Sequence, residues 1–139
     1  MPAILVITAD ALGQHLLDAL LSLHGYDVIF AECGGQGLEL FRFTSPDVVM
    51  LDLNIPDMKA LTVLRQIRKL HTHQPVIVLT GDGTSNNEHR MRALGVNDVI
   101  DKAVVPRRIV GALKRLLKTH GSSKVRGLQL THGEWRTVS

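Results

Sequence analysis

The 139-residue sequence predicts an α/β fold, a doubly wound sheet of five parallel strands in which a helix follows each strand. Two observations lead to this prediction. Short apolar runs recur along the chain, and each precedes a segment whose apolar residues have helical spacing. The connections are short, and parallel strands need crossover helices because a hairpin cannot join them. Such crossovers are right-handed, which gives a doubly wound sheet.

The five predicted strands are mostly apolar, as expected for strands that are buried on both faces. The first is a continuous apolar run, and Pro56 interrupts the chain after the third. The predicted strands span residues 3–7, 27–31, 47–53, 75–80 and 96–101.

Helical segments are indicated by apolar residues about three or four positions apart. The first has a broad leucine face and ends at Gly25, a residue type that favours helix C-caps. The second covers residues 37–43 after the Gly34–Gly35 break, the fourth covers 87–94, and the fifth begins at Pro106. The apolar positions that define the first, third and fifth helices are Leu12, Leu16, Leu17, Leu20, Leu21, Leu23, Leu61, Leu64, Ile67, Leu70, Ile109, Leu113, Leu116 and Leu117.

The composition is that of a globular protein, with 45% hydrophobic and 21% charged residues. A chain of this length has room for one domain, expected over residues 1–120, followed by a linker segment over 121–139. No apolar run approaches the roughly 18 residues that a membrane span requires, and no signal peptide opens the chain. We therefore expect a cytoplasmic protein that makes no membrane contact. The lone Cys33 excludes an internal disulfide.

Charge is distributed unevenly along the chain, although the net charge is only +3. Residues 1–63 carry 2 basic and 8 acidic side chains, whereas residues 64–139 carry 14 basic and 5 acidic ones. This division is typical either of solvated helix faces or of an acidic site joined to a surface that binds anions or nucleic acid.

Several chemically active residue types stand at the carboxyl ends of the predicted strands, where doubly wound sheets bind their ligands. Asp52 ends the third strand, Thr80 and Gly81 end the fourth, and Lys102 follows the fifth. A carboxylate, a hydroxyl beside a glycine and an ammonium suit phosphoryl chemistry. The carboxylate would be the nucleophile, and the other two groups would stabilise charge on the transferred oxygens.

These residues make the sequence resemble a response-regulator receiver domain over residues 3–118. The most specific stretches are 48–58, around Asp52, and 75–81, which ends in Thr80 and Gly81. The resemblance implies a flavodoxin-like (βα)5 receiver fold. It also implies that Asp52 is the phosphoacceptor, that Thr80, Gly81 and Lys102 contact the phosphoryl group, and that the domain is not an enzyme.

The resemblance fails at the metal site. Receivers end their first strand with two acids that help to hold Mg²⁺, and here Thr8 and Ala9 stand at those positions. The remaining candidate ligands are Asp52, the backbone of Asn54 and, only if the loop shifts by one residue, Asp10; otherwise Asp10 is a helix N-cap. Because Mg²⁺ requires near-octahedral oxygen coordination, we expect no tightly bound cofactor and weak or absent Mg²⁺ binding.

The switch position also departs from the family. The aromatic residue that receivers carry three positions before the lysine is Val99 here, and the proline that follows the lysine is Ala103. A valine side chain has no ring to move between buried and exposed rotamers. The usual coupling between the threonine and the aromatic residue is therefore not expected.

Basic residues predominate after residue 103, where 8 lysines and arginines face a single glutamate. Gly121, Ser122 and Ser123 predict a flexible linker. Residues 130–136 resemble the start of a LuxR-type (NarL-like) helix-turn-helix, because Thr131 and Glu134 form a capping-box pattern. The DNA-reading helix itself would lie beyond this sequence.

The leading hypothesis is an atypical receiver that controls a DNA-binding transcriptional output through a homodimer, independently of phosphorylation. One alternative is a working receiver that takes phosphate from a histidine kinase. Another is a stand-alone adaptor that binds a partner protein through its basic fifth helix. In the leading hypothesis, DNA would be contacted through an output domain that this chain mostly lacks.

Overall fold

The computed structural model describes residues 1–81, 88–102 and 106–120, in which five strands alternate with five helices. The strands are β1 (Ala3–Ile7), β2 (Asp27–Ala31), β3 (Val48–Asp52), β4 (Val76–Thr80) and β5 (Asp98–Asp101). The helices are α1 (Ala11–Leu23), α2 (Gly34–Thr44), α3 (Ala60–Leu70), α4 (Glu88–Ala93) and α5 (Pro106–His120).

All strand pairs are parallel, and the sheet order is β2-β1-β3-β4-β5. Helices α1 and α5 pack on one face, over a core that includes Ile4, Val48 and Ile100. Residues of α2, α3 and α4 pack on the other face, over a core that includes Leu5 and Val49. The prediction of a doubly wound five-stranded parallel sheet is therefore confirmed.

The second helix is longer than the sequence predicts, because it begins at Gly34 rather than at residue 37. The Asp57 carboxylate, from the loop after β3, accepts hydrogen bonds from the backbone N–H groups of Gly34 and Gly35 at 2.7 and 2.9 Å. These are amides that a helix N-terminus leaves without an intrahelical partner. The two glycines therefore form the first turn of the helix instead of a break.

The broad leucine face predicted for α1 is only partly buried. Leu17 and Leu21 are buried and Leu20 is half-buried, whereas Leu12, Leu16 and Leu23 are 69%, 64% and 81% exposed. Leu70, predicted to be an apolar position of the third helix, is likewise 48% exposed. The apolar face of α1 is therefore wider than the side that packs on the sheet, and part of it remains on the surface.

The remaining differences are at element ends. The third, fourth and fifth strands are one or two residues shorter than predicted at one or both ends, and the fourth helix covers Glu88–Ala93. Residue 87, the linker and the predicted helix start in residues 121–139 lie outside the described residues. No helix in the described part of the chain is long and apolar enough to cross a lipid bilayer.

Candidate functional site

The site lies where the strand order reverses, between β1 and β3. The chain passes from β1 outward to β2, and then returns to the other side of β1 with β3. Ile7 pairs in register with Leu51, so Thr8 and Asp52 follow side by side at the carboxyl edge of the sheet. Ligands of doubly wound sheets bind at such a reversal.

Asp52 is 1% exposed, and three groups contact its carboxylate. The Lys102 ammonium lies 2.6 Å from Oδ2, and the Thr8 hydroxyl donates a hydrogen bond to the same oxygen at 2.7 Å. The backbone N–H of Asn54 donates to Oδ1 at 2.9 Å. Both oxygens of the buried carboxylate are therefore engaged, and its charge is matched by a lysine whose side chain is 29% exposed.

The fourth and fifth strands bring the other predicted residues to the same edge. Thr80 ends β4 and is 3% exposed, and its carbonyl accepts a hydrogen bond from the backbone N–H of Lys102 at 2.8 Å. Gly81 follows it, and a Cβ atom built there would meet nothing within 4 Å. The sequence thus predicted correctly that Asp52, Thr80, Gly81 and Lys102 share one edge.

Positions 8 and 9 supply no carboxylate at this edge, whereas Mg²⁺ is usually bound by one or two carboxylates together with several waters. Thr8 offers a hydroxyl that is already bonded to Asp52, and Ala9 has no side-chain donor. The Asp10 carboxylate caps α1, with Oδ1 accepting a hydrogen bond from Gly13 N–H at 3.1 Å, which is the N-cap role that the sequence predicts as the alternative to a metal ligand. The ammonium of Lys102 is the cation that lies beside Oδ2 of Asp52. Among the described residues, no three His, Cys, Asp or Glu side chains could jointly hold a metal ion.

Val99 lies in β5, where it pairs in register with Val78 of β4 and packs half-buried against the core of the α2–α4 face. Its branched side chain is confined to few χ1 rotamers, as expected for valine. Ala103 lies outside the described residues.

Two contacts of the site were not anticipated from the sequence. The Thr8 hydroxyl binds Asp52 directly and also accepts a hydrogen bond from Asp10 N–H at 3.2 Å. Gln14 of α1 donates through Nε2 to the Thr8 carbonyl at 2.8 Å. The first contact could have been inferred from strand order, because neighbouring carboxyl ends place residues 8 and 52 together; the second has no sequence signal.

Comparisons with family models, curated proteins and solved structures agree on one family. A model of the response regulator receiver domain matches residues 4–114. The chain is 26% identical over 126 residues to the cell cycle transcriptional regulator CtrA of Caulobacter vibrioides, covering 88% of this chain and 54% of that protein. It is 32% identical over 115 residues to the probable transcriptional regulator ycf27 of Porphyridium aerugineum, covering 83% and 48%. The chain therefore spans about half the length of these curated relatives.

Solved receiver structures have the same fold. The receiver domain protein of Clostridium thermocellum superimposes with a TM-score of 0.80 at 28% identity, covering 86% of this chain and 97% of that one. The CheY-like receiver domain protein of Methanospirillum hungatei gives 0.81 at 25% identity, covering 86% and 95%. With most of its length matched by the family model and its fold shared with these proteins, the chain belongs to the response regulator receiver domain family.

Proposed function

We propose that this chain is an atypical receiver, the regulatory part of a transcription regulator in which Asp52 rests in a closed ion pair instead of cycling through phosphorylation. The observation that carries the proposal is the set of contacts to Asp52. Lys102, Thr8 and the amide of Asn54 bind both carboxylate oxygens, while positions 8 and 9 supply no acid. Regulation would then enter through a partner, a ligand or protein abundance.

Chemistry at Asp52 supports this proposal. Phosphorylation requires a carboxylate oxygen to attack phosphorus, form an acyl phosphate and expel the leaving group of the donor. Here the attacking oxygen already accepts hydrogen bonds, from Lys102 and Thr8 at Oδ2 or from the Asn54 amide at Oδ1, and these bonds lower its nucleophilicity. Lys102 would be the nearest cation to oppose the charge of the incoming phosphoryl group, because the donor set for Mg²⁺ is incomplete. We therefore expect reaction at Asp52 to be slow, with Thr80, Gly81 and Lys102 as the groups that would contact the phosphoryl oxygens.

Acetyl phosphate tests the proposal. We expect the full chain, incubated with acetyl phosphate and Mg²⁺, to keep its unmodified intact mass. The Thr8→Asp/Ala9→Asp double variant, which supplies the two acids of the family, should gain the mass of one phosphoryl group. Asp52→Asn in the same background controls for modification elsewhere. Stoichiometric phosphate on wild-type Asp52 would refute the proposal and favour a receiver that takes phosphate from a histidine kinase.

Domain organisation is the second part of the proposal. We assign the receiver to residues 1–120, and we assign residues 121–139 to the junction with a DNA-binding output domain of LuxR type. The LuxR type is proposed only from the pattern of residues 130–136. A regulatory output domain agrees with two observations: the chain spans about half of each curated relative, and those relatives are transcriptional regulators. A cytoplasmic location agrees with this role.

The functional state of such a module would be a homodimer whose formation does not depend on Asp52. Sedimentation velocity over a concentration series tests this, with and without Mg²⁺ and beryllofluoride, which mimics a phosphoryl group on aspartate. Self-association that is the same under both conditions is the expected result. Association only with beryllofluoride would contradict it, and a monomer under all conditions would favour the adaptor hypothesis.

A further inference from the structure

An apolar groove on the α1 side of the sheet is not used by the Asp52 site, although it adjoins that site. It encloses a cavity of about 470 Å³. Leu16, Leu20 and Leu23 of α1 form one wall, Leu79 and Ile109 lie within it, and Thr8, Asp10 and Lys102 line it as well. The groove therefore extends to Thr8 and Lys102, which contact Asp52, and to Asp10, which caps α1.

The leucines that border the groove form a regular stripe along α1. Leu12, Leu16, Leu20 and Leu23 are spaced by four, four and three residues, which places them on one side of a helix. Three of them are more than 60% exposed. A contiguous stripe of large apolar side chains on a surface commonly marks a contact with another segment or protein.

The charged residues around the groove indicate what kind of segment or protein could bind there. The first lysine or arginine of the chain is Arg42, so Asp10 and Asp18 are the carboxylates of α1 and its N-cap and no lysine or arginine accompanies them there. Lys102 is already paired with Asp52, and the exposed basic residues of α5 do not line the cavity. An occupant that carries apolar and basic side chains would complement this surface. A second copy that brought α1 against α1 would place like charges together.

The chain contains such a segment directly after α5 in sequence. Residues 121–139 carry Lys124, Arg126 and Arg136 against Glu134 alone, together with Leu128, Leu130, Trp135 and Val138. We propose that this basic, apolar segment docks in the groove along α1, next to the residues that hold Asp52. Docking there would link the junction segment to the Asp52 pair without any chemical change at the aspartate.

The segment after α5 is long enough to reach the groove along α1. Like α1, helix α5 runs back from the carboxyl edge of the sheet, so the chain leaves it at His120, toward the end of the groove near Leu23. The 13 residues of α1 span about 20 Å at a rise of roughly 1.5 Å per residue. The 19 residues after α5 can extend to about 60 Å at roughly 3.3 Å per residue. The segment can therefore follow the whole length of the groove.

Trp135 is the only tryptophan of the chain, so its fluorescence reports on this segment alone. In the full chain we expect blue-shifted emission and several-fold weaker quenching by acrylamide than for a free tryptophan. Leu16→Glu and Leu23→Glu should restore the emission and quenching of an exposed tryptophan. Both positions are more than 60% exposed, so the variants should remain folded, which circular dichroism checks. Phe43→Glu, at a 70% exposed position on α2, is the matched control and should change nothing.

Each other outcome overturns the proposal. Exposed-type emission in the wild-type chain would show that the segment does not dock. Blue-shifted emission that persists in both leucine variants would place Trp135 elsewhere. A blue shift that grows with protein concentration would assign the groove to a second copy. The measurement uses unphosphorylated protein, so its result is separate from whether Asp52 accepts phosphate.

Discussion

Lys102 and Asp52 contribute unequally to their ion pair, because the two side chains differ in burial. The carboxylate belongs to a residue that is 1% exposed, whereas the lysine side chain is 29% exposed and reaches solvent. Removing the partner of a buried charge leaves that charge unsatisfied, which costs more than the pair itself contributes.

We therefore predict an asymmetry between two variants. Lys102→Met should lower the free energy of unfolding by roughly 2 kcal/mol, because the buried carboxylate loses its counter-charge. Asp52→Asn should cost less than about 1 kcal/mol, because the ammonium can turn to water and the amide can still accept a hydrogen bond. Urea denaturation of both variants measures the difference. If Asp52→Asn were less stable than Lys102→Met, the unequal contributions inferred for the two side chains would be wrong.

Asp57 is another carboxylate that the fold uses, and its effect should depend on pH. Hydrogen bonds from the backbone N–H groups of Gly35 and Gly34 hold the pKa of Asp57 below its ordinary value. The unfolded chain therefore binds this proton more readily than the folded chain does. The stabilisation is fully present above about pH 4 and is lost as the pH falls through the lowered, folded-state pKa.

Asp57→Asn should thus be less stable than wild type at pH 7, and the difference should shrink as the pH falls from about 4 toward 2. Urea unfolding at a series of pH values checks this. Glu39→Gln, an exposed carboxylate on α2, is the control and should show no such trend. A difference between Asp57→Asn and wild type that stays constant over the same range would show that the carboxylate charge is not what caps α2.

Local sequence patterns predicted which elements form, but not the long-range contacts that decide where some of them begin. Apolar runs and helical spacing predicted all five strands and helices. The start of α2 depends on Asp57, more than 20 residues away in sequence, so no pattern around Gly34 could reveal it. The exposure of Leu12 and Leu16 likewise depends on how α1 is placed on the sheet, which periodicity does not encode.

The glycine at position 37 in α2 allows that helix to pack closely against the sheet. A Cβ atom at Gly37 would lie 2.6 Å from Cδ1 of Ile7 in β1, closer than such atoms approach in proteins. At Gly111 in α5, by contrast, the nearest atom would be Nη1 of Arg115 at 3.6 Å, an ordinary contact. Comparing alanine substitutions at Gly37 and Gly111 therefore distinguishes the effect of helix propensity from the effect of close packing.

Alanine at Gly37 should therefore destabilise the protein by about 1–2 kcal/mol, because overpacking outweighs the better helix propensity. Alanine at Gly111 should stabilise it by about 0.5–1 kcal/mol. Thermal unfolding of the two variants beside wild type gives both signs in one experiment. If Gly37→Ala were as stable as Gly111→Ala, the close approach of α2 to β1 would be wrong.

Across the whole molecule, the acidic and basic halves of the sequence correspond to different parts of the fold. At the carboxyl edge beside Asp52, residues 8 and 9 are a threonine and an alanine, as the sequence itself shows. The hydrogen bond from the Thr8 hydroxyl to Asp52 could be located only with the strand register that brings β1 beside β3.

We propose that Asp52, which is bonded to Thr8 and Lys102, does not bind Mg²⁺ in this chain. A Mg²⁺ titration followed by amide chemical shifts tests it most directly, with Leu53 and Asn54 as reporters next to Asp52. We predict no saturable shift at these amides in the wild-type chain at millimolar Mg²⁺, and a saturable shift in Thr8→Asp/Ala9→Asp. A saturable Mg²⁺-dependent shift in wild type that Asp52→Asn abolishes would contradict the claim.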